Sequence, residues 1–234
     1  MGTCPPEQTG IAACDKGTGS GLLPIADKGF EYIEPESLLD LEKFVKGEVF
    51  KDKKILALDN LSTMARTLVK EAALAIPRNS DAVRRFGVPD MKDYGVIAEI
   101  VRRILVTMID ANPDKHILVF AHERYDRPNE TDAPGTESLV GPDLAGQLFL
   151  AAPSIFDFVF RLRLRTFLTN PADAKTKISQ RYLQCAAQQG VLTKCRAHVE
   201  GKTVLTEEIV DLKTGEGSFP SIVNKLVNAY TRSA

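Results

Sequence analysis

Residues 53–62, KKILALDNLS, carry the feature that most narrows what this chain can fold into. Within 54–59 an apolar run goes unbroken until it stops on a carboxylate, Asp59. A strand with one wet face alternates apolar and polar residues, whereas a parallel strand covered on both faces is apolar throughout. Directly afterwards Leu61, Met64, Ala65, Leu68, Val69, Ala72 and Ile76 recur at helical spacing over 61–76, until Pro77 stops the pattern. A buried strand delivered straight into an amphipathic helix is the building unit of an α/β sheet.

The remaining segments fit that plan. IAAC (11–14) is a short apolar run ending at Asp15, and the glycine-rich KGTGSG (16–21) follows it as a loop. FEYIE (30–34) alternates like a strand, and 35–47 starts on a proline and ends on a glycine, as a short helix does. After a loop over 78–90, the stripe Tyr94, Ile97, Ala98, Val101, Leu105, Met108, Ile109 predicts a helix over 91–111, stopped by Asn112-Pro113. HILVFAH (116–122) is a second buried-strand candidate. The polar stretch 124–140 predicts a mobile loop, 143–151 a short helix, and FPSIVNKLVNAY a final one. Strict alternation in 156–167, 179–186 and 194–199 predicts antiparallel strands. The expected fold is therefore α/β: a mainly parallel sheet flanked by helices, with antiparallel strands towards the C-terminus. Residues 1–10 are expected to form a flexible arm and 11–234 a single core domain.

Composition narrows the function classes. Lys+Arg is 30 against 31 Asp+Glu, so whole-chain charge gives no argument for nucleic acid, although a local basic face is compatible with it. No apolar run approaches the roughly 18–20 residues that span a bilayer, so no membrane association is expected. The N-terminal stretch lacks the basic and apolar regions of a signal peptide. The four cysteines, Cys4, Cys14, Cys185 and Cys195, form no C-x-x-C pair. Reduced thiols in a cytoplasmic protein are the expectation.

In a parallel sheet, ligands bind beyond the carboxyl ends of the strands. Asp59 sits at such an end. It suits either of two roles: holding the hydration shell of a Mg²⁺ on nucleotide phosphates, with Asn60 or Ser62 orienting it, or capping the helix that begins near Leu61. His122 and Glu123 end the other strand candidate; they lie beside Asp59 if the two strands are neighbours. There they suit a γ-phosphate sensor, or simply a neutral histidine hydrogen-bonded at the sheet edge. In FDFVFRLRLRTF, Phe158, Phe160, Leu162 and Leu164 face one way and Arg161, Arg163 and Arg165 the other. The arginines make either a basic strip for DNA phosphates or a neighbouring subunit's nucleotide, or the solvated face of an edge strand.

The order ILALDNLSTMAR, a long helix, ILVFAHE, a polar loop, GPDLAGQL (141–148), then FDFVFRLRL resembles the phage-encoded AAA/RecA-like ATPases of the P-loop NTPase superfamily. YLQCAAQQGVLTKCRAHVEG (182–201) is similar to that family's late hairpin, which closes on a Lys-x-Arg, here Lys194-Cys195-Arg196. The resemblance covers roughly residues 11–212. It implies a RecA-like fold, ATP and Mg²⁺ as ligands, and Mg-dependent hydrolysis in complete members. It also implies a role in phage DNA recombination, single-strand annealing or replication, with single-stranded DNA as partner and a homo-oligomeric ring or filament in the host cytoplasm. On this basis Asp59 is the metal-side acid, His122 and Glu123 are the sensor, and Arg196 is a trans-acting group.

Two departures stand out. The family's phosphate loop, G-x-x-x-x-G-K-[ST], should precede the first strand, and residues 1–10 contain none. KGTGSG is followed by LLPIAD rather than Lys-Ser/Thr. An acidic pair should also follow the early strand; Asp15 matches its first acid, but Lys16-Gly17 follow and the glutamate is missing. Either the chain starts after the phosphate loop or it is a degenerate member that keeps the fold. The alternative function is a non-hydrolysing DNA-binding or assembly module on the same sheet.

Overall fold

Four strands lie side by side as one parallel sheet, in the order β2-β1-β3-β4. They are β1 (Thr9–Ala13), β2 (Glu31–Ile33), β3 (Ile55–Asp59) and β4 (His116–Val119). The register sets Ala13 opposite Asp59 and Leu58 opposite Val119. The two inner strands are the apolar runs: Ile11, Ala12, Leu56, Ala57 and Leu58 are fully buried. Gly10 permits the close packing of β1, because a Cβ there would overlap the ring of Phe50. This computed structural model describes residues 4–15, 28–77, 84–126, 138–168, 177–186, 189–199, 202–211 and 216–231. KGTGSG at 16–21 lies outside the described residues, as does most of the expected loop over 124–140.

The helices flanking the sheet begin and end on identifiable side chains. Helix α1 (Leu38–Val45) starts at a capping box in which the Ser37 hydroxyl and the Asp40 carboxylate satisfy one another's backbone. The helical stretch after β3 is not uniform: α2 (Leu61–Met64) passes through a π-helical turn (Ala65–Val69) into α3 (Lys70–Ala75). Helix α4 (Met91–Asp110) starts at a second capping box, Asp90 with Asp93. It ends at Asn112, whose amide donates to the Val45 and Met108 carbonyls at 2.7 and 2.9 Å.

The described part of the expected loop before α4 contains a 3₁₀ turn (Arg84–Phe86) and a buried clamp. Arg84 donates to Asp93 at 2.9 Å and to the Ala73, Leu74 and Ile76 carbonyls at 3.0, 3.3 and 3.1 Å. It thereby satisfies the open carbonyls at the end of α3 with a charge that is itself paired.

Sequence reading expects one core domain, 11–234; the chain divides into two compact units, 1–125 with 141–155, and 126–140 with 156–234. Strands β5 (Glu123–Asp126) and β6 (Leu139–Pro142) carry the chain out of the first unit and back, and α5 (Leu148–Ile155) starts later than the helix expected over 143–151. The second unit holds the antiparallel strands. β8 (Arg161–Leu168), β9 (Lys177–Gln184) and β13 (Glu207–Val210) pair in the order β13-β9-β8. Its core packs Cys185, Leu205 and Ile222 of α6 (Phe219–Thr231), with Leu183 of β9 against them. β7 (Phe158–Val159) pairs with β10 (Lys194–Cys195), and β11 (His198–Val199) with β12 (Lys202–Thr203). The segment 182–201 is thus no simple hairpin: its two arms, β9 and β10, pair into different sheets. No helix of the described residues is long and apolar enough to cross a membrane.

Candidate functional site

The strand order decides where a ligand has room. From β1 the chain goes to β2 on one side; from β3 it goes to β4 on the other. β1 and β3 are neighbours whose onward connections leave in opposite directions, and a crevice opens beyond the carboxyl ends of such a pair. Cys14 and Asp15 follow β1 there, Asp59 and Asn60 close β3, and His122 comes in after β4.

Asn60 ties these residues together. Its Oδ1 accepts the Thr63 N–H at 2.8 Å and so caps α2. The capping role is therefore Asn60's, which leaves the Asp59 carboxylate out of it. With Oδ1 committed, the amide N–H group of Asn60 donates to Asp15 Oδ2 at 2.8 Å and to His122 Nε2 at 3.1 Å. The buried Ser62 hydroxyl accepts the His122 backbone N–H at 3.1 Å. The Cys14 N–H donates to the Asp59 carbonyl at 2.5 Å, and the Leu61 N–H to the Phe120 carbonyl at 2.8 Å, which locks the three strand ends together.

The electrostatics follow from this crowding. Burial pushes the Asp59 carboxyl above its ordinary pKa, and the charge of Asp15 pushes it further, partly opposed by His122. The Cys14 thiol is pushed up to about 12, first by burial and then by Asp59 and Asp15, so it is a packed thiol rather than a nucleophile. Among the described residues no group of three or more His, Cys, Asp or Glu side chains is arranged to hold a metal. What the crevice offers is a pair of carboxylates, Asp15 and Asp59. That set suits Mg²⁺, which binds through one or two carboxylates and keeps several waters, and it does not suit zinc.

The polar chain extends one step further, to residues that sequence reading did not single out. The Asp143 N–H donates to the His122 carbonyl at 2.7 Å, and the Asp143 carboxylate pairs with Arg66 on the π-helical turn. Asp143 lies in the GPDLAGQL stretch and Arg66 in STMAR, but nothing in either segment signals a partner 77 positions away.

Asp15, Asp59, Asn60, Ser62 and His122 are thus brought to one end of the parallel sheet. Glu123 follows as the first residue of β5 and is exposed. Arg161, Arg163, Arg165 and Arg196 belong to the second unit. Arg196 pairs with Asp157 at 2.8 Å. Arg165 pairs with Glu207 at 2.7 Å and lies over the Tyr182 ring, 4.7 Å from its centroid. The three strand arginines are half-buried, whereas Leu162 and Leu164 are 60% and 65% exposed. The expected alternation is present with its faces exchanged: the arginine face carries Tyr182 and Glu207, and the leucine face of β8 is the wetter one.

Compared with family models and with curated proteins, the chain matches none.

Proposed function

We propose that this is a nucleotide-binding domain of the AAA/RecA-like P-loop type, acting in phage DNA recombination or replication. The junction of Asp15, Asp59 and His122 through Asn60, at the switch point of a parallel sheet, carries this proposal. Asp59 and Asp15 would hold Mg²⁺ on the β/γ-phosphate side of ATP. When bound, Mg-ATP supplies the electrophilic phosphoryl group and the charge neutralisation its transfer needs. Asn60 keeps Asp15 and His122 in a fixed relation, and Ser62 holds the backbone that presents the histidine. His122 and Glu123 stand at the start of the segment that would respond to the terminal phosphate. The phosphate cradle expected of the family is not found among the described residues, so binding should be weak.

Calorimetric titration with Mg-ATP tests the reading. The expected dissociation constant lies in the range of about 0.1–1 mM, roughly −5 to −4 kcal/mol. Asp59→Ala should weaken it about tenfold and reduce its dependence on Mg²⁺, with Asp15 left as the one carboxylate. Binding that is absent at millimolar Mg-ATP, or indifferent to Asp59→Ala, would overturn it.

A further inference from the structure

The pairing of Arg66 with Asp143 has a consequence for the crevice, and it rests on the nucleotide reading above. Arg66 sits on the π-helical turn that follows the strand bearing Asp59. Such turns re-aim one side chain out of an otherwise regular helix and recur at functional positions. The guanidinium grips Asp143, and the Asp143 backbone is bonded to His122, the residue that Asn60 joins to Asp15. A continuous polar chain therefore runs Asp15, Asn60, His122, Asp143, Arg66. Every carboxylate in it is an acceptor that repels an incoming anion, and Arg66 is its strong cationic donor. The Arg66 side chain is 60% exposed and the Asp143 side chain 18%. An ion pair with one partner in water contributes little to stability and is cheap to exchange. Arg66 meets Asp143 through one nitrogen and one oxygen, whereas a phosphate offers a guanidinium two acceptor oxygens and more charge.

We propose that Arg66 is the anion-binding arm of this crevice and that Asp143 holds it in reserve. A polyphosphate chain arriving with its cation at Asp15 and Asp59 takes Arg66 from Asp143. The freed Asp143 then loosens the loop that leads into α5, so the same exchange reports occupancy to that loop. Arg66 touches the ligand directly in this scheme, and Asp143 acts only through Arg66.

The test is calorimetry on the full chain with magnesium pyrophosphate and, separately, Mg-ATP. Asp143→Asn should bind pyrophosphate several-fold more tightly than the wild type, because Arg66 no longer has a competing carboxylate. Arg66→Ala should bind it about tenfold more weakly, and Arg66→Lys should fall between, keeping charge without the fork. Combining Arg66→Ala with Asp143→Asn should match Arg66→Ala alone, since Asp143 has no effect without its partner. Equal affinities for wild type, Arg66→Ala and Asp143→Asn would overturn the proposal, and if Mg-ATP still bound through Asp59 the nucleotide reading would survive it. The expected pattern with pyrophosphate, but no gain from the nucleoside of Mg-ATP, would uphold the arm and overturn the nucleotide reading. No binding of either probe by any variant would overturn both.

Discussion

Asn60 hydrogen-bonds Asp15 at 2.8 Å across 45 positions of sequence while its own carbonyl caps the next helix. One buried amide thus serves the fold and the crevice together, and the two roles separate by substitution. Asn60→Asp retains a good cap but exchanges the N–H donors for a third carboxylate beside Asp15 and Asp59. It should cost about 1–3 kcal/mol at neutral pH and much less near pH 4. Asn60→Ala loses cap and bridge at every pH. Urea denaturation at the two pH values distinguishes them; an Asn60→Asp variant as stable as the wild type at pH 7 would refute the bridge.

Asp59 should leave a signature in the pH dependence of stability. Its carboxyl is raised in the folded state by burial and by Asp15, so between the unfolded and folded values the native chain binds this proton more tightly than the unfolded chain does. Its contribution is full below the unfolded carboxylate value of about 4 and is lost as pH rises through the folded value. Asp59→Asn removes that loss. The melting temperature of the variant minus that of the wild type should therefore be larger at pH 7 than at pH 4. A difference that stays flat, or grows on acidification, contradicts the assignment.

How much of this was legible in the sequence depends on which kind of information a residue carries. The buried strands around Ile11, Leu56 and Leu58 were legible because an unbroken apolar run has few other homes. Asp59 and His122 were legible as neighbours only on the condition that their strands are adjacent, which the pairing of β3 with β4 meets. β4 itself is a half-buried edge strand rather than the buried strand expected over 116–122, and it ends at Val119, before His122. The clamp of Arg84 on Asp93 was not, since a polar stretch between helices looks like a loop whether or not its charges are buried. Alternation in β8 told which residues share a face. It could not tell which face is covered, because that is decided by Tyr182 and Glu207, which lie far along the chain. The helix expected over 143–151 appears at Leu148–Ile155, its start delayed while Asp143 is bonded to His122.

The exchanged faces of β8 give a direct comparison. Leu164 is mostly in water, whereas Arg165 is paired with Glu207 and stacked on Tyr182. Leu164→Ser should change stability by less than about 0.5 kcal/mol. Arg165→Ala should cost about 1 kcal/mol, combining a cation–π contact with a half-exposed ion pair. Thermal denaturation measures both, and the reverse ranking would mean that the leucine face is the one that packs.

The Arg84–Asp93 pair is the most consequential buried charge among the described residues, with side chains 4% and 0% exposed. Pairing does not by itself make such a bridge stabilising, since both ions are taken out of water. Removing one partner is different, because it strands the other charge without solvent. Arg84→Met should therefore cost about 3–5 kcal/mol, leaving the Asp93 carboxylate and the carbonyls of Ala73, Leu74 and Ile76 without their cation. Asp93→Asn should cost less, because an amide still offers its oxygen to Arg84 and to the Asp90 N–H that Asp93 now receives at 2.9 Å. The double variant should be less destabilised than the sum of the two, by an interaction free energy of about 1–3 kcal/mol. Chemical denaturation of the four proteins completes the cycle, and strictly additive losses would show that the two charges do not depend on each other.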